Sequence, residues 1–215
     1  MRAFLAIVRR DLIVEGRARE LVPSMVLLAL LLLTVASATG AAGPAAVLWI
    51  SIVFAISFGL ARSFHHELAD DQLTGLALAP VDRAAIYLGK AAANLLIVAA
   101  AETVIIAVFA VLFNVDVGRV VLPLIAVIAA GTIGLVAIGT LLGAMVAVTR
   151  LREALVPMLL LPVGIPAVLA AVRATEHVLD GRPLGGVQGE MQLLAAFALL
   201  CIAVPVLVFE SVLEE

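Results

Sequence analysis

Polar residues inside otherwise apolar stretches are the first candidates for chemistry in this sequence. Glu102 is the one charged residue within the six longest apolar stretches. Because a carboxylate is costly to ionise in hydrocarbon, its side chain should face protein or a cavity. Asn94 precedes it by eight residues, about two helical turns, so both side chains can line one polar stripe. We interpret the pair either as a gate or coupling element at a subunit interface, or as a structural hydrogen-bonding site with Glu102 protonated.

A cluster of helix-breaking residues marks another of these stretches. Pro157, Pro162, Gly164 and Pro166 lie close together, and each proline removes a backbone donor from a helix. A break at membrane depth is tolerated where it is buried in protein or lines a cavity. These four residues therefore predict a hinge.

Small residues suggest close packing elsewhere. Gly139, Gly143 and Ala147 form a ridge at a spacing of four, which predicts a tight contact between helices, with a contact between two copies of the chain as the alternative. The single cysteine, Cys201, cannot form an intrachain disulfide and is expected to be a small core residue.

Patterns for metal binding are incomplete. The run His65-His66-Glu67 resembles the start of a zinc-protease motif, which needs a second histidine four residues after the first. That position is Asp70. We therefore predict no metal site and no catalytic residue.

The composition indicates what kind of elements must position these residues. Hydrophobic residues make up 65% of the 215 and charged residues 13%, with a mean hydropathy of +1.26. A soluble domain is about half apolar and a quarter charged, so the sequence predicts an integral membrane protein. The net charge of -3 leaves no surplus of Lys and Arg for nucleic acid, which we exclude as a partner.

Six apolar stretches are long enough for an α-helix to cross about 30 Å of hydrocarbon. They are Leu21–Thr39, Pro44–Ala61, Ala91–Phe113, Val120–Thr149, Ala154–Val172 and Met191–Phe209. We interpret the fourth as one long or tilted helix that begins near Pro123. The predicted fold is an all-α membrane protein with a single domain over residues 1–215 and an outer loop at residues 173–190.

Cations predict the orientation, because Lys and Arg in short loops stay in the cytoplasm. The N-terminal arm and the second and fourth connections carry ten of them, against three on the other side. Both termini are therefore expected to be cytoplasmic. Residues 1–20 resemble an interfacial helix, although Asp11, Glu15 and Arg19 intrude on its apolar side. A solvated basic tail is the alternative.

The connection between the second and third spans, residues 62–90, is the largest polar one, and we call it the coupling segment. Asp71 can cap a short helix with Leu73 and Leu76 on one face, and Pro80 ends that helix. Such an amphipathic helix suits docking into a groove on a soluble partner. The alternative is an ordinary loop at the lipid headgroups.

The coupling segment carries a pattern made of Glu67, Asp70, Asp71, Leu73, Leu78-Ala79-Pro80, Ile86 and Gly89-Lys90. In this pattern the chain resembles ABC-2-type permeases, and more closely the CcmB family. It extends along nearly the whole chain through Arg9-Arg10-Asp11-Leu12, Asn94, Glu102, Phe113-Asn114-Val115 and the run from Leu160 to Val168.

The resemblance implies a non-catalytic permease subunit of the bacterial inner membrane. It implies pairing with a second copy and with two copies of a cytoplasmic ATPase, CcmA, beside CcmC, CcmD and the haem chaperone CcmE. ATP hydrolysis would drive either haem export or release of haem-loaded CcmE. The expected coupling residues are Glu67, Asp70, Asp71, Leu73, Leu76 and Pro80.

We expect no cofactor to bind this chain directly. Around Gly89-Lys90, Ala84 and Ala91 occupy the first glycine and the hydroxyl positions of a P-loop, so ATP is expected on the partner subunit. Trp49 is the one tryptophan, whereas CcmC-like proteins carry a Trp-rich haem-handling segment, so haem is expected to be handled by the complex. His177, near Arg173, could contact haem or be a solvated histidine.

Two other functions are open. The chain could be an ABC-2-type export permease for a lipid, glycan or drug. A self-sufficient secondary transporter or intramembrane enzyme is disfavoured, because such proteins usually place several polar or catalytic residues within their spans.

Overall fold

The computed structural model describes residues 2–18, 20–40, 42–69, 83–146, 149 and 152–211. Within these ranges every regular element is a helix. The elements are α1 (Arg2–Ala18), α2 (Leu21–Thr39), α3 (Pro44–Ala69), α4 (Arg83–Leu112), α5 (Val117–Val146), α6 (Arg152–Leu179), a 3-10 turn (Leu184–Val187) and α7 (Gln188–Ser211). The predicted all-α fold is confirmed.

Helices α2 to α7 are each long and apolar enough to cross a membrane, which confirms the six predicted spans. The most buried of them is α3, which packs against α2, α5 and α6. The first predicted span coincides with α2. The helix of the fourth predicted span, α5, begins at Val117 and not near Pro123. Proline keeps a helical φ angle, and lost backbone bonds can be compensated within a helical bundle, so α5 continues through Pro123.

Helix α6 is longer than the sequence suggested. It continues through Pro157, Pro162 and Pro166 without a break, and it extends to Leu179, so the outer loop predicted at residues 173–190 is confined to a shorter connection. The charged residues beyond Val172 end the apolar run in the sequence, but they do not end the helix. The left-handed Gly181 (φ 74°) follows α6, and such a residue is a common helix ending.

Close contacts inside the bundle depend on glycines that face large side chains. A Cβ atom at Gly131 on α5 would collide with the Trp49 ring of α3, and one at Gly139 would collide with Leu60. The tight contact predicted for the ridge at Gly139 therefore occurs within the chain. Ala147 lies outside the described residues. Cys201 is buried, as expected of a core residue.

Candidate functional site

Helix α4 carries four polar side chains that bond to neighbouring helices. Tyr87, Lys90, Asn94 and Glu102 make up this set, which we call the polar row. Their separations of three, four and eight residues keep them along one broad side of the helix. Because α4 begins directly after residues 70–82, the row connects the end of the coupling segment to the membrane interior.

Glu102 is held by the adjacent span. The hydroxyl of Thr132 on α5 donates a hydrogen bond of 2.5 Å to Glu102 Oε1, and both side chains are buried. Glu102 lies ten residues before the end of α4 at Leu112, about 15 Å along the axis, so it is well inside the span. Its carboxyl group therefore faces protein.

Asn94 joins three helices. The Ser63 hydroxyl on α3 donates to Asn94 Oδ1 at 2.9 Å, and Asn94 Nδ2 donates to Thr140 Oγ1 on α5 at 3.1 Å. All three side chains are buried. A buried side-chain amide that both accepts and donates holds its neighbours in one geometry, because losing either partner leaves a polar group unpaired.

The bonds of Asn94 and Glu102 share one helix register. These two residues are eight positions apart on α4, and their partners Thr140 and Thr132 are eight apart on α5 in the reverse order. Equal spacing in opposite directions is what two antiparallel helices of the same rise require. A shift of one helical turn would break both bonds together.

The other two residues of the polar row, Tyr87 and Lys90, belong to the part of α4 nearest α1. We call this end of the bundle the α1 end. Tyr87 donates its hydroxyl to the Ala137 carbonyl of α5 at 2.8 Å. Lys90 Nζ lies 3.2 Å from Asp11 Oδ2 of α1, and both side chains are largely buried. The same end holds Arg62, which donates to Ser24 Oγ of α2 at 3.1 Å. One end of the coupling segment, at Arg62, thus meets α2, and the other end, at Lys90, meets α1.

The predicted coupling residues lie outside the part of the chain whose side chains are described. The backbone of Glu67 belongs to α3. Asp70, Asp71, Leu73, Leu76 and Pro80 fall in the range 70–82, which the structure does not describe. The proposed docking helix therefore remains a prediction.

The residues of the predicted hinge divide between two faces of α6. Pro162 and Pro166 are exposed, whereas Gly164 is buried against α5. A Cβ atom at Gly164 would lie 2.8 Å from a methyl group of Leu135. The prolines deprive the helix of backbone donors on its outer face, and the hinge itself remains a prediction.

The ring side chains of Trp49 and His177 have partners within the protein. Trp49 is fully buried and donates its indole N–H to Thr175 Oγ1 on α6 at 2.9 Å. His177 lies 3.0 Å from the Pro183 carbonyl through Nε2, and a Cβ atom at Gly186 would lie 2.6 Å from its ring. Since a carbonyl only accepts, Nε2 carries the proton. His177 thus fastens the end of α6 to the 3-10 turn.

Other features of the described residues do not suggest a cofactor site. No group of three or more His, Cys, Asp or Glu residues in these ranges is placed to hold a metal ion. A groove of about 280 Å³ opens between α3 and α6 and is lined by aliphatic and aromatic side chains, namely Ile50, Val53, Phe54, Leu161, Ile165, Val168 and Leu169. Such a lining offers neither a ligand for iron nor a cation for a propionate.

The sequence suggested one half of each bonded pair and missed the other. Asn94 and Glu102 were identified because polar groups in long apolar runs are rare. Ser63, Thr132 and Thr140 were missed, because hydroxyl residues are frequent in membrane helices and can bond to their own backbone.

Comparison with known proteins gives one result for nearly the whole chain. A family model described as CcmB protein matches residues 2–214. This range includes α1, all six spans and the polar row. No curated protein matches the chain.

Proposed function

Because the chain belongs to the CcmB family of membrane permease subunits in cytochrome c maturation, we propose that it couples ATP hydrolysis by a separate subunit, CcmA, to haem handling. The output is either haem export or release of haem-loaded CcmE from CcmC. Both outputs need a membrane element that receives a force from the ATPase and delivers it within the bilayer. ATP then binds the partner subunit, and haem is handled by the complex.

The observation that carries this proposal is the course of α4. The helix starts directly after residues 70–82 and continues for 30 residues, about 45 Å. Its polar row bonds to α1 at Lys90, to α3 and α5 at Asn94, and to α5 at Glu102. A displacement at the start of α4 is therefore passed to three other helices through directional bonds.

Orientation and partners belong to the same proposal. We place the α1 end in the cytoplasm of a bacterial cell, with both termini there, because the N-terminal arm and the connections at that end carry most of the cations. The permease pairs with a second copy and with two copies of CcmA, and works beside CcmC and CcmD in the inner membrane. Leu73 and Leu76 supply the apolar face that docks on CcmA, flanked by the acidic residues Glu67, Asp70 and Asp71.

Affinity purification in mild detergent tests this function. Leu73→Asp combined with Leu76→Asp should reduce the CcmA recovered with the permease, while insertion into the membrane stays normal, because docking would desolvate the new charges. Gly185→Asp with Gly189→Asp is a matched control, since both glycines face open space near the opposite end of the bundle.

The outcomes separate the alternatives. Normal CcmA recovery and normal ATPase activity with both double variants would make the segment an ordinary surface loop. Recovery of a different ATPase with the parent would instead favour an ABC-2-type export permease for another cargo, such as a lipid, glycan or drug.

A further inference from the structure

The N-terminal helix α1 is bonded to α4 by a largely enclosed ion pair. Lys90 Nζ and Asp11 Oδ2 are 3.2 Å apart, and the two side chains are only 12% and 11% exposed. Opposite charges in such an enclosed site stabilise each other, and removing one of them is costly to the other. The pair therefore fixes α1 against the second turn of α4.

Helix α1 is also bonded to the start of α2. Glu15 Oε1 accepts hydrogen bonds from the backbone N–H groups of Leu21 at 2.9 Å and Val22 at 3.2 Å. The first N–H groups of a helix have no partner within that helix, and a carboxylate there is favoured by the helix dipole. Glu15 thus caps α2 from a separate helix.

Close packing accompanies these two polar contacts. A Cβ atom at Gly89 would lie 3.2 Å from Ile7 Cβ and 3.5 Å from the Phe4 carbonyl, so α1 lies directly on the backbone of α4. Phe4, Ile7, Asp11 and Glu15 follow each other at spacings of three and four, which places them on one helix face. The acidic residues that intrude on the apolar side of α1 therefore face α4 and α2.

We propose that α1 is a clamp that holds the start of α4 against α2, and that Asp11 and Lys90 are positioning residues for coupling. The clamp rests on the proposed function, since it acts on α4, which begins within the coupling segment. A force applied before Arg83 reaches Lys90 within two helical turns. With the clamp in place, that force moves α1 and α4 together and is delivered along α4 to Asn94 and Glu102.

Charge substitutions in the assembled complex test the clamp. Lys90→Met and Asp11→Asn should each lower the cytochrome c matured per molecule of complex by about tenfold, a typical size for a lost coupling between sites, while CcmA is still recovered. The charge-reversed pair, Asp11→Lys with Lys90→Asp, should restore part of the loss. Arg182→Met is the matched control, because it breaks the exposed ion pair with Asp180 at the opposite end.

A cross-link tests the clamp without altering charge. With Cys201 replaced by Ala, cysteines at positions 7 and 89 would have Cβ atoms close to the separation found in disulfides. If α1 and α4 move together, the oxidised protein should mature cytochromes at the rate of the reduced protein.

The possible outcomes distinguish the clamp from the proposed function. If the parent matures cytochromes and Lys90→Met does so equally well, the clamp is wrong. Loss of maturation on oxidation with recovery on reduction also overturns it, because α1 would then have to leave α4. Failure of the parent itself to bind CcmA contradicts the proposed function, independently of the clamp.

Discussion

Thr132 and Glu102 join two consecutive spans by a hydrogen bond inside the apolar bundle. Eight residues away on each helix, Thr140 and Asn94 make a second bond in the same register. The positions one turn from the threonines on α5 are apolar, so a slipped register would remove the α5 partner of both α4 side chains. We infer that α4 and α5 move as one unit.

This relationship predicts how Glu102 responds to substitution. Glu102→Gln keeps an oxygen that can accept from Thr132, so assembly and cytochrome c maturation should match the parent. Glu102→Leu removes the acceptor and should reduce the complex recovered, at a cost of about 0.6 kcal/mol, the average for hydrogen bonds between membrane helices, and at most about 1.7 kcal/mol. Complex yield and thermal stability in detergent measure assembly, and the level of holocytochrome c measures maturation.

A neighbouring hydroxyl is the control for this series. Thr103 bonds to the Ala99 carbonyl of its own helix and is exposed, so Thr103→Val should change neither readout. Normal assembly of Glu102→Gln without maturation would show that the carboxyl group acts as a gate. Normal assembly and maturation by Glu102→Leu would deny both roles to Glu102.

Topology can be tested independently of any partner. A reporter that is active only in the cytoplasm should be active when it is placed at Gln72 or fused after Glu215. A reporter that is active only on the outer side should be active when it is placed between Gly181 and Gly189. The reason is the excess of cations in the connections at the α1 end. A translocated reporter at Gln72 would invert the map and remove the docking surface from the reach of CcmA.

Hydropathy predicted the existence of the spans but not where the helices end. The span of α2 is fixed by a long uncharged run with polar ends, whereas α4 begins at Arg83, before its apolar run. Helical backbone bonding continues into water, but hydropathy reports only the part in hydrocarbon. Hydropathy alone therefore does not place the ends of the helices.

Pairing of side chains was predictable only in part. The intrusion of Asp11 and Glu15 on the apolar side of α1 was visible in the sequence and could have indicated an ion pair or a cap. Their partners, Lys90 and the start of α2, depend on how α1 crosses α4. The same holds for Thr132, because the register of two packed helices is set by contacts between residues far apart in the chain.

The prolines of α6 provide the last test. Pro162 and Pro166 remove two backbone donors from a continuous helix, and a proline inside a helix costs up to about 3 kcal/mol relative to alanine. Pro162→Ala with Pro166→Ala should therefore stabilise the subunit in detergent. If the segment is a hinge, the stiffer helix should lower cytochrome c maturation per molecule of complex while CcmA recovery stays normal.

Pro123→Ala is the control that distinguishes a general effect of stiffer helices from an effect of a stiffer α6. Pro123 also lies inside a membrane span, so its replacement should stabilise α5 in the same way, and we expect maturation at the parental level because α5 is pinned to α4 by Thr132 and Thr140. Parental maturation by the Pro162 and Pro166 double variant would mean that α6 moves as a rigid rod. Equal losses in both proline variants would instead show that the cycle requires flexible spans throughout, and not a hinge in α6.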